Sequence, residues 1–359
     1  MSQDQDFGYF ARFARWHVII VVSVILLFIT AVISTNVGYS QIPFSTVMKS
    51  LLNGLLIGQS PLFEDIPKTD ETIILQVRLP RILAGILVGS ALAGSGVTFQ
   101  AVFRNPMADP YVLGVSAGAA VGGASAIILG VGTGFFGTNA ISVVSWAGAL
   151  IAMFSVYYIS RVGSRTPTMT LLLSGIAVSI FLSAIVSLLI TLSDTSTNKL
   201  QVLVFWLLGS VANVTWGEVL TAFPAIIIGL VILTLFSKRL NIMLLGDEEA
   251  EHLGIQTQKV RKRVLVVAAI ITASAVALAG IIGFVGLMIP HLMRILVGPD
   301  HRVLMPVSIL GGGIYLASFD ALARVLYSPA EFPVGVLTAL AGGPFFIYLL
   351  RKKKGEYSL

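Results

Sequence analysis

Residues 105–118 read NPMADPYVLGVSAG, with glycines at Gly114, Gly118 and Gly122. This is the nearest thing in the chain to a phosphate-binding loop. A phosphate cradle of that kind needs a strand before it and a Lys-Ser/Thr pair closing GxxxxG, and the sequence has neither. Spaced by four on a helix, the three glycines share one face, where the missing side chains let another backbone approach closely. Gly85 and Gly89 are spaced alike, so all five predict tight helix packing. Metal-dependent hydrolysis is no better served. His17, His252, His291 and His301 are scattered, His-Glu-x-x-His is absent, and there is no cysteine, so neither a metal site nor a catalytic residue is predicted. The ionisable groups that could lie within a membrane are few: Asp320 and Arg324, spaced to pair along one helix, and Glu218. A proton- or sodium-coupled carrier would need an acid near the middle of the bilayer, and Asp320 falls near a helix end.

The elements that must carry these residues follow from charge. Of 359 residues, 56% are hydrophobic and 11% charged, against roughly a quarter charged in soluble domains. Runs free of Asp, Glu, Lys and Arg cover 18–48, 82–103, 110–160, 166–193, 219–237, 264–290, 303–319 and 332–350. A crossing needs about 20 apolar residues, so several runs hold one span and the 110–160 run holds two. The chain is predicted to be a polytopic all-α membrane protein. Its basic excess marks cytoplasmic loops rather than a nucleic-acid partner. The first apolar segment is too long for a leader's core and is expected to be a retained span.

Lys and Arg placement sets the threading. Arg12 and Arg15 put the N-terminus inside. Spans then run Trp16–Asn36, Pro80–Phe103, two through 110–160 with an outer turn at Gly130–Gly137, and Thr168–Leu192, the latter entered after Arg161 and Arg165. Residues 38–77, including Glu64, form an external segment. Leu200–Gly217 is a short outer or re-entrant helix, because a crossing there would turn Lys238, Arg239 and residues 259–263 outward. Span six is Val219–Ser237. Gly283, Gly286 and Pro290 split 264–297 into span seven and a short span eight. Spans nine (Val303–Asp320) and ten (Phe332–Leu350) bring the C-terminus back inside. Of the 23 Lys and Arg residues, only Lys49, Lys68, Arg78, Arg81, Lys199 and Arg324 then face outward. Ala-Leu-Ala-Gly at 91–94 recurs at 277–280. The offset of five spans would make the two halves inverted repeats.

The cytoplasmic segment 240–263 is the most informative polar stretch. Asp247, Glu248, Glu249 and Glu251 open a short amphipathic helix that Gly254 ends, as capping rules favour. It is either a solvated connector or a docking element for a soluble partner.

At this point the chain resembles a known family, the large FecCD-type permeases of ATP-binding-cassette importers for iron chelates, haem and cobalamin. The resemblance is carried by VRLPRILAGILVGSALAGSG at 77–96, FRNPMADPYVLGVSAGA at 103–119, LLLSG at 171–175, LGDEEAEHLGI at 245–255, GFVGLMIPHLMR at 283–294, DHRVLMP at 300–306 and FPVGVLTALAGGPFFIYLL at 332–350. It implies a type II importer permease fold of about ten transmembrane helices in inverted halves, one transmembrane domain over 1–359. It also implies a homodimer in the cell membrane, two separate ATPase subunits that carry ATP and magnesium, and an extracytoplasmic substrate-binding protein. No cofactor is expected on this chain. By matched position, Arg78, Arg81 and Arg324 are implied to dock the binding protein; the residues alone also allow headgroup anchoring, or pairing of Arg324 with Asp320. Leu245, Gly246, Glu248, Ala250, Leu253 and Gly254 are implied to couple to the ATPase. Pro167 and Thr168 match the cytoplasmic gate region, although a relative carries Ser where this chain has Pro. Substrate-facing positions are expected to be small and apolar. The function implied is import of a metal chelate, an iron-siderophore or haem first and cobalamin next. The alternative from another class is an ion-coupled carrier working without an ATPase.

Overall fold

The computed structural model describes residues 3–38, 40, 42–55, 63, 65–130, 140–163, 166–193, 198–326 and 331–354. The expected outer turn at 130–137, beyond Gly130 itself, and the charges of Glu64 and Arg165 lie outside the described residues. The chain is helical: α1 (Gln3–Asn36), α2 (Phe44–Leu55), α3 (Lys68–Thr72), α4 (Leu79–Val102), α5 (Val115–Leu129), α6 (Ala140–Ile159), α7 (Thr168–Leu192), α8 (Lys199–Leu207), α9 (Trp216–Leu235), α10 (Ser237–Met243), α11 (Asp247–His252), α12 (Thr257–Ala279), α13 (Val285–Val297), α14 (His301–Leu326) and α15 (Val334–Lys354).

Among the described residues, seven helices are long and apolar enough to cross a bilayer, and three shorter apolar helices (Val115–Leu129, Val285–Val297 and Val334–Leu349) accompany them. These ten correspond in order to the ten spans expected from charge. The nine residues of α8 rise only about 14 Å, too little to cross.

Span two departs from expectation. It does not begin at Pro80: α3, a π-helical stretch at Ile73–Arg78 and α4 form one helix, Lys68–Val102, roughly 50 Å long. The end of the supposed external segment is therefore helical. The charges at Lys68, Asp70 and Glu71 concealed this, because a charged turn beyond the bilayer costs a helix nothing. The Trp216 indole donates to the Leu75 carbonyl at 2.8 Å, giving a partner to a backbone group in the irregular stretch.

α4 is the central element. It packs against α1, α9, α12, α13 and α14, and glycines set how closely it does so. A Cβ on Gly89 would strike the carbonyl of Gly312, and one on Gly96 the carbonyl of Gly286. α5 and α6 meet in the same way, Gly118 against Gly148 and Gly122 against Val144. Two of the five predicted packing glycines behave differently. A Cβ added to Gly85 would lie 3.6 Å from the Ala317 Cα, an ordinary contact. Gly114 has φ +74° and sits in the left-handed region between a 3-10 turn (Pro110–Leu113) and α5, so it is required by backbone conformation rather than by the face of span three.

One pattern occurs twice: a long buried helix, a non-helical descent ending in a left-handed residue, then a short helix. The first copy is α4, Gly114 and the 15-residue α5; the second is α12, Phe284 (φ +68°) and the 13-residue α13. Helices of that length rise about 20 Å, short of about 30 Å of hydrocarbon, so each completes its crossing together with the descent before it. The two descents meet: the Tyr111 hydroxyl donates to the Ile282 carbonyl at 3.0 Å and accepts from the Ile282 N–H at 3.2 Å. Residues 105–118 are thus not a surface turn throughout. Non-helical backbone at membrane depth is tolerated where protein satisfies it. The Ala-Leu-Ala-Gly repeat is not what relates the two copies, since Gly94 is buried mid-helix while Gly280 ends α12 with φ +70°.

Candidate functional site

The end of the molecule that carries most of the Lys and Arg residues is organised around α10 and α11. Gly246 (φ +139°) and Gly254 (φ +82°) bracket α11 in conformations that only glycine adopts without strain. The outward face carries Leu244, Leu245, Glu248, Glu249, Glu251 and Leu253, with Leu245 63% and Leu253 60% exposed. Ala250, predicted among the coupling residues, is fully buried and forms the inward face that seats α11. Acids in the first turn suit the positive end of the helix dipole, and Thr257 donates to Glu251 at 2.7 Å.

Residues that the sequence reading did not select fasten this segment. Arg261, only 4% exposed, donates through Nη2 to both carboxylate oxygens of Asp247 at 2.8 and 2.9 Å. Arg104, just past α4, donates through Nη2 to Asp247 and through Nε to the Met243 carbonyl at 3.0 Å, which ends α10. Asn241 forms a second knot: it donates to Asp300 at 2.8 Å and accepts from the His301 N–H at 2.8 Å. Burial alone would raise the Asp300 pKa, but hydrogen bonds and charge from Arg302, with the Asn241 amide, hold it down at about 2. Arg302 is two residues from Asp300, but Asp247 is 14 positions from Arg261 and 143 from Arg104, and Asn241 is 59 from Asp300, beyond the reach of spacing rules. Pro167 is exposed and precedes α7; Thr168 begins that helix, and neighbouring Thr166 contacts Gln258 of α12 at 3.4 Å. The two residues matched to the gate region therefore lie beside the base of α12.

At the opposite end the three predicted docking arginines gather, but as interior groups. Arg78, Arg81 and Arg324 are 5%, 5% and 4% exposed. Arg81 grips Asp320 with Nε at 3.0 Å and Nη2 at 2.8 Å, and Glu331 with Nη1 at 2.7 Å. Arg324 donates to the carbonyls of Ser34 at 2.9 Å and Val37 at 2.7 Å, with Asp320 at 3.4 Å. Arg78 donates to the carbonyls of Thr35 at 2.8 Å, Asn36 at 3.3 Å and Ser40 at 2.6 Å. The last carbonyls of a helix have no partner within it. Two guanidinium groups supply those of α1, with positive charge at the negative end of the dipole. The predicted Asp320–Arg324 pair exists, but Arg81 is the principal partner of Asp320.

Next to this cluster lies a cavity of about 400 Å³. Its wall includes Ser142, Gln201, Asn213, Glu218 and Glu331 beside Phe205, Trp206 and Phe332. Ala212, Ala277, Ala279, Val202, Val214 and Leu278 also line it. Glu218 also accepts from the Thr215 N–H at 2.9 Å and its hydroxyl at 3.0 Å, capping α9. Among the described residues, no three His, Asp or Glu side chains converge as a metal set.

Comparison with known proteins places this geometry. The model of the FecCD transport family matches residues 25–352. A cobalamin import system permease protein of Halobacterium salinarum is 44% identical over 295 residues, 82% of this chain and 78% of its own length. A hemin transport system permease protein of Yersinia pestis is 37% identical, covering 93% of this chain and 95% of its own. A molybdate import system permease protein of Haemophilus influenzae is 39% identical, covering 92% and 94%. A solved structure described as an inward-facing conformation of a metal-chelate type ABC transporter superposes with a TM-score of 0.80 at 37% identity, covering 93% of this chain and 99% of that one.

Proposed function

The chain belongs to the FecCD transport family, and from that premise we propose that it is the membrane-spanning permease subunit of an ATP-driven importer of a metal chelate. It works as a homodimer whose interface forms the path. Two separate ATPase subunits bind and hydrolyse ATP with magnesium, an extracytoplasmic protein delivers the cargo, and the permease itself breaks no bond and carries no cofactor. Both termini lie in the cytoplasm of a cell-membrane protein.

One observation carries the ATPase part of this reading: the exposed Leu245, Glu248 and Leu253 surface of α10–α11, an apolar and acidic patch fastened to α12 through the buried Arg261 and to the end of α4 through the half-exposed Arg104. A solvated connector has no need of a buried anchor. A rigid, partly apolar surface fits a soluble partner. At the other end, a binding protein's carboxylates would have to displace Asp320, Glu331 or the α1 carbonyls to reach Arg78, Arg81 and Arg324. We therefore read these arginines first as the frame of the docking face.

The cargo is an iron-siderophore or haem, with cobalamin next. A cavity of about 400 Å³, walled mostly by aliphatic and aromatic side chains with a few amides and carboxylates among them, suits a bulky, partly apolar chelate. The ion-coupled alternative would need a free acid within the span. Asp320 is instead gripped by Arg81 and Arg324.

The test is association. The Leu245→Asp, Leu253→Asp variant, purified in nanodiscs, is expected to lose at least tenfold in affinity for the cognate ATPase while keeping its melting temperature. Unchanged affinity would remove α10–α11 as the contact.

A further inference from the structure

Asp247 stands at the meeting of two routes into the protein. Through Arg104 it reaches the end of α4 and the descent that follows; seven residues on, that descent arrives at Tyr111. Through Arg261 it reaches the base of α12, which ends at Ala279, three residues before Ile282. Tyr111 and Ile282 are the pair whose hydroxyl and peptide bond each other in the interior. Both arms of the ion-pair cluster therefore converge on a single contact between the two short-helix units.

The arms are stiff. Arg261 is 4% exposed and holds Asp247 through both carboxylate oxygens. Arg104 adopts φ +47°, uncommon for a residue with a side chain, and its guanidinium spans Met243 and Asp247 together. Such a conformation persists where surrounding contacts over-determine it. α4 and α12 are mostly buried, so a displacement imposed at their ends cannot be absorbed by bending into lipid.

We infer that Asp247, clasped by Arg104 and Arg261, is the positioning residue that transmits movement of α10–α11 into α4 and α12 and thereby to the Tyr111–Ile282 contact. This deepens the proposed ATPase coupling and rests on it. The exposed leucines and acids receive the partner; Asp247 converts that contact into strain on the interior turns.

The experiment uses the full chain reconstituted in proteoliposomes with its ATPase subunits and binding protein, offered a ferric hydroxamate, haemin and cobalamin in parallel. The reading is chelate delivered per ATP hydrolysed. Asp247→Asn is expected to keep ATP hydrolysis within about twofold while that ratio falls at least tenfold, and Asp247→Glu to restore it. Arg104→Lys, which keeps the charge but loses the fork, is expected to lower the ratio as well. A wild-type ratio in Asp247→Asn would overturn the clasp as transmitter, and so would parallel loss of hydrolysis and transport with failed assembly, since that makes Asp247 part of docking. Absence of ATP-dependent transport by the wild-type chain would overturn the functional reading itself, whatever Asp247 does.

Discussion

Asp320 is 1% exposed and lies between two guanidinium groups, which makes the outer arginine cluster a unit rather than three surface cations. Removing one member of a buried pair leaves the other charge without compensation, at a cost of about 3 to 5 kcal/mol. Arg81→Ala and Asp320→Ala are each expected to lower the melting temperature in detergent markedly, and the double variant to recover part of the loss. Losses that simply add would show the pair is not coupled. The sequence made Asp320 and Arg324 visible as neighbours four apart. It could not show Arg81 as the stronger partner, 239 positions away, or the α1 carbonyls that Arg78 and Arg324 complete. The same limit hid Arg104, Asp247 and Arg261.

Among the helices, the spans were legible because a bilayer forbids uncompensated charge along about 20 residues, a constraint that local sequence must obey. The start of span two was not legible, because nothing in membrane physics stops a helix at the headgroups. Glycine spacing predicted close helix packing at Gly118 and Gly122, without naming α6 as the partner. It mistook Gly114, whose four-residue offset is the same but whose φ is positive. These cases can be separated by substitution. Gly118→Val would drive a side chain into the backbone of Gly148, which cannot move aside, and is expected to cost about 3 kcal/mol or more. Gly85→Ala, facing Ala317 with ordinary contact distance, is expected to be nearly neutral. Melting of the two purified variants checks both, and equal losses would contradict the assigned contacts.

In the whole molecule, α4 and α12 form the buried centre; α1, α7 and α9 carry broad exposed apolar faces, and the two ends differ in chemistry. One end presents a clasped amphipathic helix, the other a closed arginine and carboxylate frame beside a largely apolar cavity. This polarity fits a permease driven from one side and supplied from the other. The most direct test is uptake into proteoliposomes containing the purified chain and binding protein, with and without the cognate ATPase subunits, under ATP or under a proton or sodium gradient. Chelate is expected to accumulate only with the ATPase subunits and ATP. Accumulation driven by a gradient, with the chain lacking any ATPase, would contradict an ATP-driven permease.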